Sequence, residues 1–162
     1  MTKYRLVFGL LFFVNLHVFS QNLDETKKNI IKSIENHEEE IIKISDKIWE
    51  LAETAFNEYE SSKLLSDYAE ANGFSLERGV AGMPTAFIAT YGQGRPVISV
   101  LGEFDALPGL SQDTTPTKKP LTEGGNGHGC GHNLFGAASL ASAIAIKEPV
   151  SYTHLRAHET TC

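Results

Sequence analysis

The run of seven residues from Gly127 to Asn133 restricts the fold most, because three glycines alternate in it with two histidines and a cysteine. Glycine at alternate positions disfavours a helix and permits positive φ angles, so the run is predicted to be a loop. In an extended loop, side chains two positions apart lie on the same side, which brings Cys130 and His132 together. A thiolate and an imidazole favour zinc or a similar transition ion over magnesium or calcium. The run therefore predicts half of a metal site, and the alternative is a tight turn with exposed histidines and a buried cysteine.

An open, catalytic metal site fits the sequence better than a closed structural one. A structural zinc site needs four protein ligands, and the chain offers no second cluster of cysteines and histidines with matching spacing. The missing ligands are therefore expected from elsewhere in the protein.

The amino terminus has the pattern of a secretory signal. Lys3 and Arg5 precede an apolar run over residues 6–19, which is followed by the small Ser20 and the polar Gln21. We predict a signal peptide over residues 1–20 and an exported bacterial protein, periplasmic or secreted. The run is shorter than the ~20 residues of a spanning helix, which makes an uncleaved membrane anchor the minor alternative.

The last residues, 149–162, have neither helical nor strand periodicity and resemble a translated sequencing adapter. We expect this tail to be non-native, so that the protein continues beyond residue 148 and residues 21–148 are the first part of its catalytic domain. A genuine flexible tail is the alternative, in which His154 and His158 become candidate ligands. A disulfide between Cys130 and Cys162 is a further alternative.

The composition indicates a globular protein with an acidic surface. Hydrophobic residues make up 41% of the chain and the formal net charge is −6. This charge argues against nucleic acid and anionic membrane surfaces as partners.

The hydrophobic periodicity predicts an α/β layer architecture. The predicted elements are helices over 24–55 and 58–72, neighbouring strands over 85–91 and 96–101 with the second buried, a loop over 111–126, and a helix over 134–147. Asn57 and Glu60 have the spacing of a capping box for the second helix, and Asn133 is expected to cap the last one.

Two carboxylates, Glu103 and Asp105, directly follow the second predicted strand. Open α/β sheets bind ligands at the carboxyl ends of their strands. Asp105 is therefore predicted to bind a metal or to accept the N–H of a metal-bound imidazole, with a turn or helix cap as the alternative. For Glu103 we expect a surface role.

The segments Leu-Gly-Glu-Phe-Asp-Ala-Leu-Pro-Gly at 101–109 and Gly-His-Gly-Cys-Gly-His-Asn at 127–133 together resemble the aminoacylase, hippurate hydrolase and auxin-conjugate hydrolase group of dinuclear metallopeptidases. The resemblance covers about residues 45–148. It implies that Cys130 and His132 bind metal, that Asp105 supports the catalytic site, and that His128 is either a ligand or a hydrogen-bond partner of one. It also implies that the chain is the N-terminal part of a mixed-sheet catalytic domain, incomplete here, without the family's general-base glutamate.

By this resemblance the full protein is expected to hydrolyse an amide bond between an acyl or aroyl group and an amino acid such as glutamate. Two divalent ions, zinc or manganese, are the implied cofactors, and a homodimer or hetero-oligomer is the implied assembly. The fragment by itself is expected to be inactive. The alternatives are a non-catalytic exported module that binds a metal or an anion, and an enzyme in which Cys130 is a thiol nucleophile.

Overall fold

The structure is a computed structural model that describes residues 3–153 and 160–161, with side chains described for residues 25–148. Its elements in chain order are helix α1 (Lys3–Leu51), helix α2 (Tyr59–Ala71), strand β1 (Ser75–Arg78), a short 3-10 helix (Val80–Gly82), strand β2 (Phe87–Thr90), helix α3 (His132–Thr153) and strand β3 (Thr160–Thr161). Helices and strands are mixed, as predicted.

Helix α1 includes most of the first predicted helix, but it begins at Lys3 and not at residue 24, and it ends at Leu51 and not at residue 55. The helix stops where Ala52 takes a positive φ of 46°, and the amide of Ala52 still bonds to the carbonyl of Ile48 at 3.1 Å. Only the carboxyl-terminal part of the predicted apolar stripe is buried: Ile48 is inaccessible, whereas Ile34 is 47% exposed. Among the described residues, no helix is both long and apolar enough to span a membrane.

Helix α2 begins with a cap that differs from the prediction. The predicted capping box of Asn57 and Glu60 is wrong, because the side-chain amide of Asn57 donates to the hydroxyl of Thr54 and to the carbonyl of Ala55. The carboxylate of Glu53 instead accepts the backbone N–H groups of Glu60 and Ser61 at 3.1 and 2.8 Å, and the Ser61 hydroxyl at 2.7 Å. A carboxylate from outside the helix thus satisfies amides that have no partner within it.

The sheet is antiparallel with the order β1-β2-β3. Strand β2 confirms the first predicted strand and alternates buried Phe87 and Ala89 with half-buried neighbours. The predicted strand over 96–101 is wrong: the described residues form only a bridge at Val100, and Ile98 is 53% exposed. The apolar run has strand propensity, but the neighbour of β2 is β1, which pairs Ser75 with Thr90.

The hydrophobic core joins all three helices, β2 and the segment around Phe104. Its buried members are Ile44, Ile48, Leu65, Ala69, Phe74, Phe87, Ala89, Phe104, Leu140, Ala143 and Ile144. Helix α3 lies against the segment 102–104 because two glycines permit the approach: a Cβ at Gly136 would stand 3.0 Å from the carbonyl oxygen of Glu103, and one at Gly102 would stand 3.1 Å from the Cβ of Ser139. This packing holds the start of α3 beside Asp105.

A polar network joins α1 to α2 and to the carboxyl-terminal part of α3. Glu148 accepts the Ser33 hydroxyl at 2.5 Å and faces His37 Nε2 at 3.0 Å, while His37 Nδ1 lies 2.7 Å from the Tyr68 hydroxyl. Burial raises the pKa of Glu148, but the hydrogen bonds from Ser33 and His37 and the charge of Lys147 outweigh burial and hold it below its usual value. The network therefore favours the ionised carboxylate.

Candidate metal centre

The two sequence motifs are brought together by a pair of backbone hydrogen bonds. Leu107 and Gly127 form an antiparallel bridge with N···O distances of 2.9 and 3.0 Å. Residue 127 has to be glycine here, because a Cβ would stand 2.1 Å from the carbonyl oxygen of Leu110. On its other side, Ala106 donates its amide to the carbonyl of Glu53 at 2.7 Å. Asp105 is thus held on a segment that is fixed from both sides.

Asp105 and His132 form the central contact of the site. Nδ1 of His132 lies 2.8 Å from Oδ1 of Asp105, and both side chains are 24% exposed. In this contact the Nδ1–H donates to the carboxylate, which fixes the orientation of the ring. This is one of the two roles predicted for Asp105, and whether it serves a metal stays a prediction.

Glu103 also reaches His132, a contact that was not predicted from the sequence. Its Oε2 lies 3.0 Å from His132 Nε2, and its side chain is 51% exposed. The expected surface position is correct, but the carboxylate faces the site. The signal was its spacing from Asp105, since residues two apart in an extended segment point the same way. An ion at Nε2 has to displace this carboxylate or share it.

Cys130 is a free, exposed cysteine, so the alternative of a tight turn around a buried cysteine is wrong. Cys162, His154 and His158 lie outside the residues whose side chains are described. Within the described part of the chain, no three His, Cys, Asp or Glu side chains form a group that could hold a metal ion. The thiol, imidazole and carboxylate suit a transition ion by their chemistry. In the described residues they are not arranged as a group that could hold an ion, so metal binding by this stretch stays a prediction.

His128 is buried and does not point to solvent. Its Nε2 lies 3.0 Å from the carbonyl oxygen of Ile48, which can only accept, so Nε2 carries the hydrogen. Nδ1 is buried and has no hydrogen-bond partner among the described residues. Burial lowers the pKa of His128 below its usual value, although its bond to the Ile48 carbonyl opposes this change. The ring is therefore favoured in its neutral form.

Asn133 lies in the first turn of α3 and is not its cap, so that prediction is wrong. Its amide donates to Ser45 of α1, to the carbonyl at 3.4 Å and to the hydroxyl at 3.2 Å. The helix begins instead from Gly131, whose carbonyl accepts the amides of Leu134 and Phe135, both at 3.0 Å. Gly131 has a φ of 86°, a conformation that glycine adopts without strain.

A cleft of about 290 Å³ opens between the end of α1 and the predicted loop over 111–126. That loop is confirmed, since it contains no helix or strand, and the side chain of Gln112 bonds to backbone carbonyls within it. Residues lining the cleft include Trp49, Leu121 and Asn126, but neither Cys130 nor His132. The cleft is thus next to the candidate centre and separate from it.

Comparison with known proteins gives a consistent result. No protein-family model matches the chain. The chain is 46% identical over 129 residues to a subunit of p-aminobenzoyl-glutamate hydrolase from Escherichia coli (strain K12), covering 78% of this chain and 26% of that protein. It is 33% identical over 127 residues to thermostable carboxypeptidase 2 of Saccharolobus solfataricus, covering 77% and 31%.

Among solved structures, the chain matches the YxeP protein of Bacillus subtilis, described as a dinuclear metal-binding peptidase from the M20 family. The TM-score is 0.61 at 23% identity, and the match covers 78% of this chain and 34% of that one. The chain therefore spans only about a quarter to a third of the length of these relatives. Over that part, the resemblance expected from the sequence is confirmed: the chain is related in sequence to a subunit of p-aminobenzoyl-glutamate hydrolase and has the fold of part of the M20 peptidase domain.

Proposed function

We propose that this chain supplies part of the catalytic domain of a metal-dependent amidohydrolase that cleaves the amide between an acyl or aroyl group and an amino acid, as in p-aminobenzoyl-glutamate. The observation that carries the proposal is the 2.8 Å contact of Asp105 with His132, two residues from the exposed Cys130. The 46% identity to one chain of a p-aminobenzoyl-glutamate hydrolase supports the substrate class.

Cys130 and His132 are the proposed metal ligands, and two divalent ions, zinc or manganese, are the proposed cofactors. The name of the M20-family relative supports a dinuclear centre. When bound, such ions supply an activated water and polarise the scissile carbonyl. Asp105 would orient the imidazole of His132 through Nδ1, so that Nε2 would be the nitrogen that binds an ion. Cys130 serves as a thiolate ligand, which engages its charge and removes it from the role of nucleophile.

The remaining ligands and the general base are proposed to lie in a further part of the protein, equivalent to the part of such relatives that this chain does not span. The described residues contain no group of three donors, which fits an arrangement completed from elsewhere. The same proposal includes export with cleavage after Ser20, a non-native tail over residues 149–162, and assembly as a homodimer or hetero-oligomer. The Escherichia coli relative is named as a subunit, which supports an assembly with other chains.

The test is hydrolysis and metal content in the protein expressed from its complete gene. We expect Cys130→Ser and His132→Ala each to abolish chelator-sensitive hydrolysis of p-aminobenzoyl-glutamate and to lower the bound metal. His37→Gln is a matched control, because this histidine lies on α1 about 16 Å along the helix axis from Ile48 and should leave turnover intact. Near-normal activity and metal content in both site variants would remove the assignment.

A second candidate is a non-catalytic module that binds a metal. The lack of a three-donor group among the described residues is the observation in its favour. If the complete gene product binds zinc but hydrolyses no acyl or aroyl amino acid, this candidate replaces the first.

A further inference from the structure

We infer that helix α1 is a platform that positions the candidate metal loop, defined as residues 129–132, and that His128 and Asn133 are its two anchors and not metal ligands. The inference rests on the proposed function, because it concerns how Cys130 and His132 are presented to an ion.

The two anchors stand at the two ends of the loop and bind the same turn of α1. His128 donates from Nε2 to the carbonyl of Ile48 at 3.0 Å. Asn133 donates to Ser45, to the carbonyl at 3.4 Å and to the hydroxyl at 3.2 Å. Ser45 and Ile48 are three residues apart and therefore lie on one face of the helix. The loop is consequently clamped at both ends against one short stretch of a rigid element.

Burial separates the anchored base of the loop from its exposed tip. His128 is 8% and Asn133 7% exposed, and their partners Ser45 and Ile48 are buried as well. Cys130, between the anchors, is exposed. Water competes little for the buried hydrogen bonds, so their geometry is well defined. This arrangement presents a thiol to solvent from a fixed base.

The role of His128 can be separated from its effect on stability. The carbonyl of Ile48 also accepts the amide of Ala52 at 3.1 Å, so losing the imidazole leaves no carbonyl unpaired. The imidazole itself contributes a buried Nδ1 without a described partner, which is a cost to folding. Leucine at this position keeps the apolar volume and removes that atom. His128→Leu is therefore expected to leave the stability of the metal-free protein unchanged or higher.

The competing role for His128 is metal ligation through Nδ1. That role predicts a loss of bound metal equivalents in every variant that lacks the imidazole. An anchor predicts something different, namely an unchanged number of ions with lower affinity, and rescue by any side chain that restores the donor. Glutamine has a similar reach and carries an N–H donor, so His128→Gln decides between the two roles.

The experiment uses the protein expressed from its complete gene, with His128→Leu, His128→Gln, Asn133→Ala and the control Asn126→Ala. The side-chain amide of Asn126 also donates to a backbone carbonyl, that of Ala52 just after α1, at 3.3 Å, but Asn126 is exposed and lies outside the loop. Zinc affinity is measured by competition with a chromophoric chelator, and the thiolate band of the cobalt-substituted protein reports the position of Cys130. Urea unfolding of the metal-free form serves as the fold control.

We expect His128→Leu and Asn133→Ala to weaken zinc binding about 10–100-fold with unchanged stoichiometry and an altered cobalt–thiolate band. His128→Gln and Asn126→Ala should stay within about threefold of the original affinity, since the buried donor is restored or was never involved. Ser45→Ala is the second variant if Asn133→Ala fails to fold, because it removes one acceptor and leaves the loop sequence intact. It should weaken zinc binding with the same stoichiometry.

Unchanged zinc affinity in His128→Leu, and in Asn133→Ala or its substitute Ser45→Ala, would overturn the platform. Loss of a metal equivalent in both His128→Leu and His128→Gln would overturn it in favour of a ligand. If the original protein shows neither zinc binding nor a cobalt–thiolate band, the proposed function itself fails and the platform falls with it.

Discussion

Gly127→Ala is expected to destabilise the protein far more than the same change at Gly129, two residues along the same loop. A Cβ at Gly127 would stand 2.1 Å from the carbonyl oxygen of Leu110 and 2.9 Å from the Cα of Ser111, both backbone atoms. At Gly129 the nearest atom, at 2.9 Å, is Cδ1 of Leu110, the end of a side chain that is 43% exposed. That side chain can rotate away, whereas the backbone cannot.

The expected loss of unfolding free energy follows from the backbone hydrogen bonds and the packing that the added Cβ disturbs. Moving the chain at Leu110 or Gly127 strains both hydrogen bonds of the Leu107–Gly127 bridge, at about 1 kcal/mol each. Overpacking adds about 1–3 kcal/mol. Gly127→Ala should therefore cost about 3–5 kcal/mol, a large share of a typical 5–15 kcal/mol stability, and Gly129→Ala less than about 1 kcal/mol. Neither glycine has a positive φ, so backbone strain does not enter the comparison.

The assay is urea unfolding of both variants, followed by circular dichroism, with the slope of the transition compared to exclude a change in the unfolded state. Equal losses in the two variants, or a Gly127→Ala protein within about 1 kcal/mol of the original, would refute the steric argument.

Three further changes test other contacts. Glu53→Ala should cost about 1–2 kcal/mol of unfolding free energy, because it uncaps α2, whereas Asn57→Ala should be nearly neutral in the same urea titration. The pKa of Glu148 lies below its usual 4.5, so the unfolded state binds more protons in acid than the folded state does. The stabilising contribution of Glu148 should be present above pH 4.5 and be lost as the pH falls through the lowered pKa. When unfolding free energy is measured from pH 3 to 7, Glu148→Gln should therefore flatten the profile below pH 4.5. Asp105→Ala should weaken zinc binding by the complete gene product about 10–100-fold, since His132 loses the acceptor that orients it; chelator competition that shows unchanged affinity would contradict this role.

The elements that follow from local patterns were predictable from the sequence. Helix α2 and residues 134–147 of α3 follow the apolar pattern, and the alternating glycines from residue 127 to 131 lie in a loop. The pairing of Asp105 with an imidazole was also one of its two predicted roles, although the strand predicted before Asp105 is not formed. These features depend on spacing along the chain, which the sequence contains.

Other features depend on partners outside the element in which the residue lies, and these were missed. Strand β1, Ser-Leu-Glu-Arg, has one apolar side chain, and only its pairing with β2 makes it a strand. Asparagine is a residue type that favours helix caps, but Asn133 bonds to Ser45, which lies 88 positions away. Glu53 caps α2 from outside, a role that local helix signals do not contain. In each case a contact made outside the element decides its structure, and local propensity does not predict that contact.

Glu53 links the first turn of α2 to the segment that contains Asp105, so amide exchange in α2 can report on the candidate centre. Its carboxylate holds the amides of Glu60 and Ser61, while its own carbonyl holds the amide of Ala106, next to Asp105. A backbone opening at residue 53 releases both attachments together, because one residue makes them. Deuterium uptake at the first turn of α2 therefore follows the rigidity of the Asp105 segment. Whatever occupies the candidate centre should slow amide exchange in a helix that it does not touch.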